Sequence, residues 1–218
     1  MEKCAKGYDN FEFYKVYQEI YQFCILNMSN FYLDILKDRL YTAKKDGLSR
    51  RSAQTALYQI IIILVKASAP ILTFTAEELW QHLKSKESES AHLSRWPREN
   101  KYIDAELENK WYNLLQFRTL VLKAIEEKRA AGEIGSSLEA GLIIGLDENN
   151  RFLRDFDNLN EVFIVSAVSL EDSKEAYIKV EKAKGEKCPR CWNYSRETGK
   201  DERHPDLCPK CLDAISEN

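Results

Sequence analysis

The sequence predicts a mainly α protein: an antiparallel helical bundle, then a small α+β unit, then a four-cysteine module. Three observations lead there. Through most of residues 1–132 apolar side chains recur at i, i+3, i+4 and i+7, the pattern of amphipathic helices. Between 133 and 182 the pattern shortens to the alternation expected of strands. From 183 to 218 two Cys-Pro-x-Cys pairs stand sixteen residues apart.

The first helix is expected over residues 11 to 36, where Phe13, Val16, Tyr17, Ile20, Phe23, Cys24, Phe31 and Ile35 share a face. Gly47 marks a turn, and Ser49 is the expected N-cap of a second helix over 50 to 68. That helix contains Ile60 to Val65, apolar on all sides, so it is expected at the bundle centre, and Pro70 should end it. Thr75-Ala76-Glu77-Glu78 fits a capping box opening a third helix through Leu79, Trp80 and Leu83. Residues 84 to 92, rich in Ser, Lys and Glu, suggest a solvated loop. Leu107, Trp111, Leu114, Leu115, Val121, Leu122 and Ile125 mark a fourth helix ending near Gly132, and the four are expected to share one core.

Beyond it, Leu138 to Leu146 and Glu161 to Val168 are expected as strands, with a short helical piece from Arg151 to Leu159 between them. Glu175 to Glu181 alternates around Ala176, Ile178 and Val180 and predicts a third strand.

Six cysteines divide into two kinds. Cys4 and Cys24 are isolated, and Cys24 sits on an apolar stripe, as a small core residue would. Cys188, Cys191, Cys208 and Cys211 form C-x2-C-x16-C-x2-C. Two thiolates three positions apart in a tight turn reach one metal, and two such turns complete a tetrahedron around zinc. Sulfur at every position leaves no place for water, so one structural zinc ion is expected. His204 lies between the pairs and is expected on the surface. The N-terminus shows no apolar h-region, and the longest apolar run, Ile60 to Val65, is too short to span a bilayer. A cytoplasmic chain with no membrane partner follows, and in that compartment a disulfide framework is disfavoured.

No catalytic constellation stands out. His82, His92 and His204 are scattered, and Gly132 to Ser137 lacks the Gly-Lys-Ser/Thr ending of a phosphate loop. Binding signals are better. The net charge of −3 excludes an overall nucleic-acid binder, but between Lys37 and Arg51 the cations Lys37, Arg39, Lys44, Lys45, Arg50 and Arg51 face only Asp38 and Asp46. Tyr32 and Tyr41 flank or interrupt that run. Cations for phosphates beside rings that stack on unpaired bases suit looped RNA, although a solvated helix end has the same composition. A second patch joins Lys182, Lys184, Lys187 and Arg190 to Trp192, which follows the second cysteine directly. A Trp there is either a lid on a very small core or an exposed stacking platform.

Phe31-Tyr32-Leu33-Asp34-Ile35-Leu36-Lys37-Asp38-Arg39-Leu40-Tyr41 and Ala69-Pro70-Ile71-Leu72-Thr73-Phe74-Thr75-Ala76-Glu77-Glu78-Leu79-Trp80 resemble the anticodon-binding helical domain of class I aminoacyl-tRNA synthetases for branched aliphatic amino acids. Ile134 to Ala140 and Gly185-Glu186-Lys187-Cys188-Pro189-Arg190-Cys191-Trp192 are similar to the tail of the bacterial-type isoleucyl members. The resemblance implies the C-terminal, anticodon-binding and zinc-bearing part of a monomeric enzyme that joins isoleucine to its tRNA using ATP. The ATP site would lie in an N-terminal catalytic domain with His-x-Gly-His and Lys-Met-Ser-Lys-Ser, neither of which is present; Lys84 to Ser88 has the wrong spacing. This part would bind the anticodon stem-loop without acylating it, using Lys37, Arg39, Arg50, Arg51, Lys187 and Arg190 on phosphates or base edges and Tyr32, Tyr41 or Trp192 as stacking rings.

Two other readings share features with this one. The cysteine pattern is also similar to that of formamidopyrimidine-DNA glycosylases, but Met1-Glu2-Lys3 offers no proline nucleophile. A zinc-stabilised protein-interaction module is the third.

Overall fold

The architecture comes from a computed structural model, in which residues 1–84, 86–97 and 103–216 are described. Ser85, inside the expected loop and the Lys84 to Ser88 stretch, falls outside them. So do positions 98–102 and the last two residues of the cysteine module. The chain divides into two units, Met1–Asp34 with Leu48–Ile103, and Ile35–Gly47 with Asp104–Asn218.

In the first unit, the expected single helix over 11 to 36 is subdivided and is preceded by another. Helix α1 spans Glu2–Asp9 and α2 spans Phe13–Gln22; Phe23–Tyr32 continues as a π-helix, and α3, Leu33–Thr42, starts in this unit and belongs from Ile35 on to the second. A π-helix bonds i to i+5 and carries more residues per turn, so the 3.6-residue stripe drifts off the core. The outcome is visible residue by residue. Met28 is buried there, whereas Cys24 is only half-buried and Phe23 is exposed. Cys4, on α1, is the buried one of the two isolated cysteines.

Helix α4 spans Leu48–Ser68 and α5 spans Thr73–His82. Ser49 lies inside α4 and Thr75 inside α5, so neither caps as expected; Leu72 occupies the cap of α5 with no side-chain bond. Instead, Glu77 reaches forward, accepting from Ser90 Oγ at 2.7 Å and the Ala91 N–H at 2.9 Å, which ties the following loop to α5. Val65, Ala69, Ala76, Trp80 and Ala91 form the core here. The Trp80 indole donates to Ser88 O at 3.0 Å, so its buried N–H is satisfied.

Ile60 to Leu64 are half-buried, not central. They border two apolar depressions. One, of about 210 Å³, includes Cys4, Ile20, Phe23 and Ile63; the other, of about 440 Å³, includes Met28, Leu57 and Ile61.

The second unit is built on α6, Ala105–Ala130, whose cap Asp104 accepts from the Leu107 N–H at 3.0 Å. Leu114, Phe117, Val121 and Ile125 make one buried stripe on it. Gly132, at φ 72°, turns the chain after it. A three-stranded sheet has the order β2-β1-β3, with β1 at Ala140–Leu146, β2 at Ala167–Asp172 and β3 at Tyr177–Lys182. β1 pairs parallel to β2, in register Leu142 with Val168, and antiparallel to β3, in register Leu142 with Val180. Ala140, Leu142, Ile144 and Leu146 bury one face of β1, while Gly141 and Ile143 on the other face are half-buried.

The expected strand from Glu161 is a helix at its start. Helix α7 covers Leu159–Phe163 and closes at Ile164 in the left-handed region, φ 57°. A short apolar run such as 162–165 has no period that separates strand from helix. α6 packs on β3 and α7, with Phe117 and Phe163 rings 6.2 Å apart and Arg118 Nε donating to Val162 O at 2.8 Å.

Two short strands, β4 at Glu186–Lys187 and β5 at Tyr194–Ser195, and helix α8 at Pro209–Ile215 carry the cysteines. Among the described residues, no helix is long and apolar enough to cross a membrane.

Candidate metal centre and nucleic-acid interface

Each cysteine pair is set by local backbone. β4 delivers Cys188, and the turn to Cys191 closes through the Trp192 N–H donating to Cys188 O at 2.8 Å. Cys208 caps α8, Pro209 starts it, and Cys211 lies one turn in. The four sulfur atoms lie within 4.8 Å of one another and all four residues are buried. Cys191 and Cys208 Sγ are 3.6 Å apart, far beyond a disulfide bond. Tetrahedral zinc–thiolate geometry requires sulfurs about 3.8 Å apart. The donor set and its spacing fit zinc.

The thiols are prepared unequally. Burial pushes the Cys188 thiol up, but the N–H groups of Cys191, Cys208 and Arg190 more than offset this and bring it down to about 7. Burial raises Cys211 to about 11, and raises Cys191 further. Of these three thiols Cys188 gives up its proton most readily, and metal must displace the protons of Cys191 and Cys211. His204 is exposed and outside the cluster, as expected.

Of the expected RNA contacts, the second unit carries six. Trp192 is 61% exposed, in the left-handed region at φ 65°, with Lys187 Nζ 5.7 Å from its ring centroid. Its platform geometry is the stronger alternative, because a lid would be covered. Tyr41 is 76% exposed at the end of α3, and Lys37 is exposed on the same helix. Arg39 is engaged inside the protein, its Nε 2.6 Å from Glu161 Oε2. Arg190 is engaged as well, with Nη1 donating to Thr42 O at 2.5 Å and to Cys211 Sγ at 3.5 Å.

Tyr32, Arg50 and Arg51 belong to the first unit. Tyr32 is half-buried in the π-helix and Arg51 is exposed. Arg50 is half-buried, and its Nε is shielded without a hydrogen-bond partner among the described residues. Both arginines stand in the first turn of α4, which holds no carboxylate. Cations there oppose the helix dipole, an arrangement that an anion would relieve.

Sequence reasoning missed Thr42, Lys210 and Asp213, and read Asp38 and Lys44 only as charges of the basic run. Lys210 pairs with Asp38, and Lys44 Nζ lies 2.7 Å from Asp213 Oδ1. The available signal was Lys210 and Asp213 flanking a metal ligand on one short helix.

A family model described as the anticodon-binding domain of tRNA ligase matches residues 1–144. A second, described as a zinc finger found in FPG and IleRS, matches residues 185–214. The isoleucine–tRNA ligase of Natranaerobius thermophilus is 45% identical over 97% of this chain and 25% of its own length. Those of Kosmotoga olearia and Staphylococcus carnosus are 46% and 45% identical, over 95% and 99% of this chain and 24% and 25% of theirs. The chain thus spans about a quarter of the length of the curated relatives it matches.

Proposed function

Because this chain belongs to the anticodon-binding domain family of tRNA ligases, we propose that it grips the anticodon stem-loop of isoleucine tRNA as the C-terminal part of a monomeric cytoplasmic isoleucine–tRNA ligase. The whole enzyme would activate isoleucine with ATP in a catalytic domain lying N-terminal to these residues. Functionally the chain divides into a class I anticodon-binding antiparallel bundle over 1–132, a junction unit over 133–182 and a metal module over 183–218.

The observation that carries the reading is Trp192, an exposed indole held in a left-handed turn beside the cysteine cluster with a lysine over its face. A base stacked there would have both a flat partner and a cation for its phosphate. Lys37, Arg50, Arg51 and Lys187 would meet phosphates, Tyr41 would stack, and half-buried Tyr32 would offer a ring edge. Arg39 and Arg190 would hold the frame these groups stand on. One zinc ion, bound by Cys188, Cys191, Cys208 and Cys211, would supply rigidity and no chemistry. Holding the anticodon end would orient the distant acceptor end for reaction elsewhere.

The zinc-finger description spans a DNA-repair family too, but the anticodon-binding match over 1–144 favours RNA. Affinity for isoleucine tRNA is expected to exceed that for the same tRNA with its anticodon exchanged. Equal affinities would sink the proposal.

A further inference from the structure

The cysteine cluster is tied to the C-terminal end of α3 by side chains that are themselves neighbours of the metal ligands. Arg190, within the first pair, donates to Thr42 O at 2.5 Å and to Cys211 Sγ at 3.5 Å. Lys210, preceding Cys211, pairs with Asp38. Asp213, two residues after Cys211, pairs with Lys44 at 2.7 Å. Thr42 is buried, and its hydroxyl donates to Asp38, so both ends of this patch are joined on α3 as well.

The three ties draw on different chemistry. The pairs of Lys210 and Lys44 are partly exposed and weak alone. The Arg190 bond satisfies a carbonyl at the last residue of α3, where helix carbonyls lack partners. Its second bond runs to a ligand sulfur, the kind of outer contact that orients a metal ligand. With metal in place, Cys211 fixes the short helix α8, and α8 fixes Lys210 and Asp213 against Asp38 and Lys44.

From this we infer that Arg190, Lys210 and Asp213 are positioning residues that latch the metal module to α3, so that metal occupancy orders the segment 38–47. The latch stands on its own contacts. Its consequence for RNA, that Tyr41 and the neighbouring cations are held in place by a metal they do not touch, rests on the function proposed above.

Hydrogen exchange of the full chain, measured without RNA, separates the two. Stripping the metal with a chelator is expected to speed exchange in 38–47 by about tenfold along with 186–216. Unchanged exchange in 38–47 while 186–216 opens would overturn the latch, whatever the chain's affinity for tRNA. A charge reversal checks the same contact with metal retained. Lys210→Asp is expected to speed exchange in 38–47 at full zinc content, and adding Asp38→Lys to restore it. Full zinc content with unaltered exchange in the single variant, or no recovery in the double, would equally refute the inference.

Discussion

Trp192 stands where a glycine would be easiest. A left-handed backbone costs a residue with a Cβ roughly 1 kcal/mol, and this residue also leaves a large apolar ring in water. Trp192→Gly should therefore raise the melting point of the metal module, or leave it unchanged, at full zinc content. It should also weaken tRNA binding by about 1–3 kcal/mol, the usual worth of one base stack. Melting curves and tRNA titrations on one preparation check both halves, and undiminished affinity would remove Trp192 from the interface. The residue scale is also where sequence reading was sharpest and bluntest. The four cysteines were legible because metal geometry imposes their spacing. For Arg39 and Arg190 composition reveals a charge but not its partner, here Glu161 and Thr42.

Among the elements, the entry to the metal module is the most constrained. Gly185 has φ 99°, and a Cβ there would lie 2.2 Å from the backbone of Ser195 on β5. Gly185→Ala must therefore break the β4–β5 pairing or distort it, at about 2 kcal/mol or more. Zinc affinity should fall and the tail should become protease-sensitive, while α4 and α5, in the other unit, keep their protection. A variant with undisturbed zinc binding would show that β4–β5 pairing does not shape the site. Element types were legible wherever a period persisted over several turns, as in α4 and α6. They failed where the period itself changed, in the π-helix of Phe23–Tyr32, and where α7 offered only one turn. The α5 capping box failed for another reason: the cap lies three residues earlier, at Leu72, so Thr75 and Glu78 both stand inside the helix.

Across the whole molecule the charge is slightly negative, so RNA affinity must come from few contacts. With Arg39 and Arg190 engaged, at most four of the six expected cations meet phosphates. At about 0.7 per contact, log affinity should then fall with log salt no more steeply than about −3. A slope near −4 would mean that the internal pairs open on binding. The mainly helical class and the cysteine cluster were readable, since both follow from patterns local in sequence. The grouping of α6 with the sheet was not, because an apolar stripe does not name the surface it will cover. Indole exposure has one more consequence. Trp80 is 1% exposed, whereas Trp192 is 61% exposed. A soluble quencher should therefore dim Trp192 first, ahead of Trp96 at 38% exposure and well before Trp80, giving the cysteine cluster a built-in optical reporter that needs no dye.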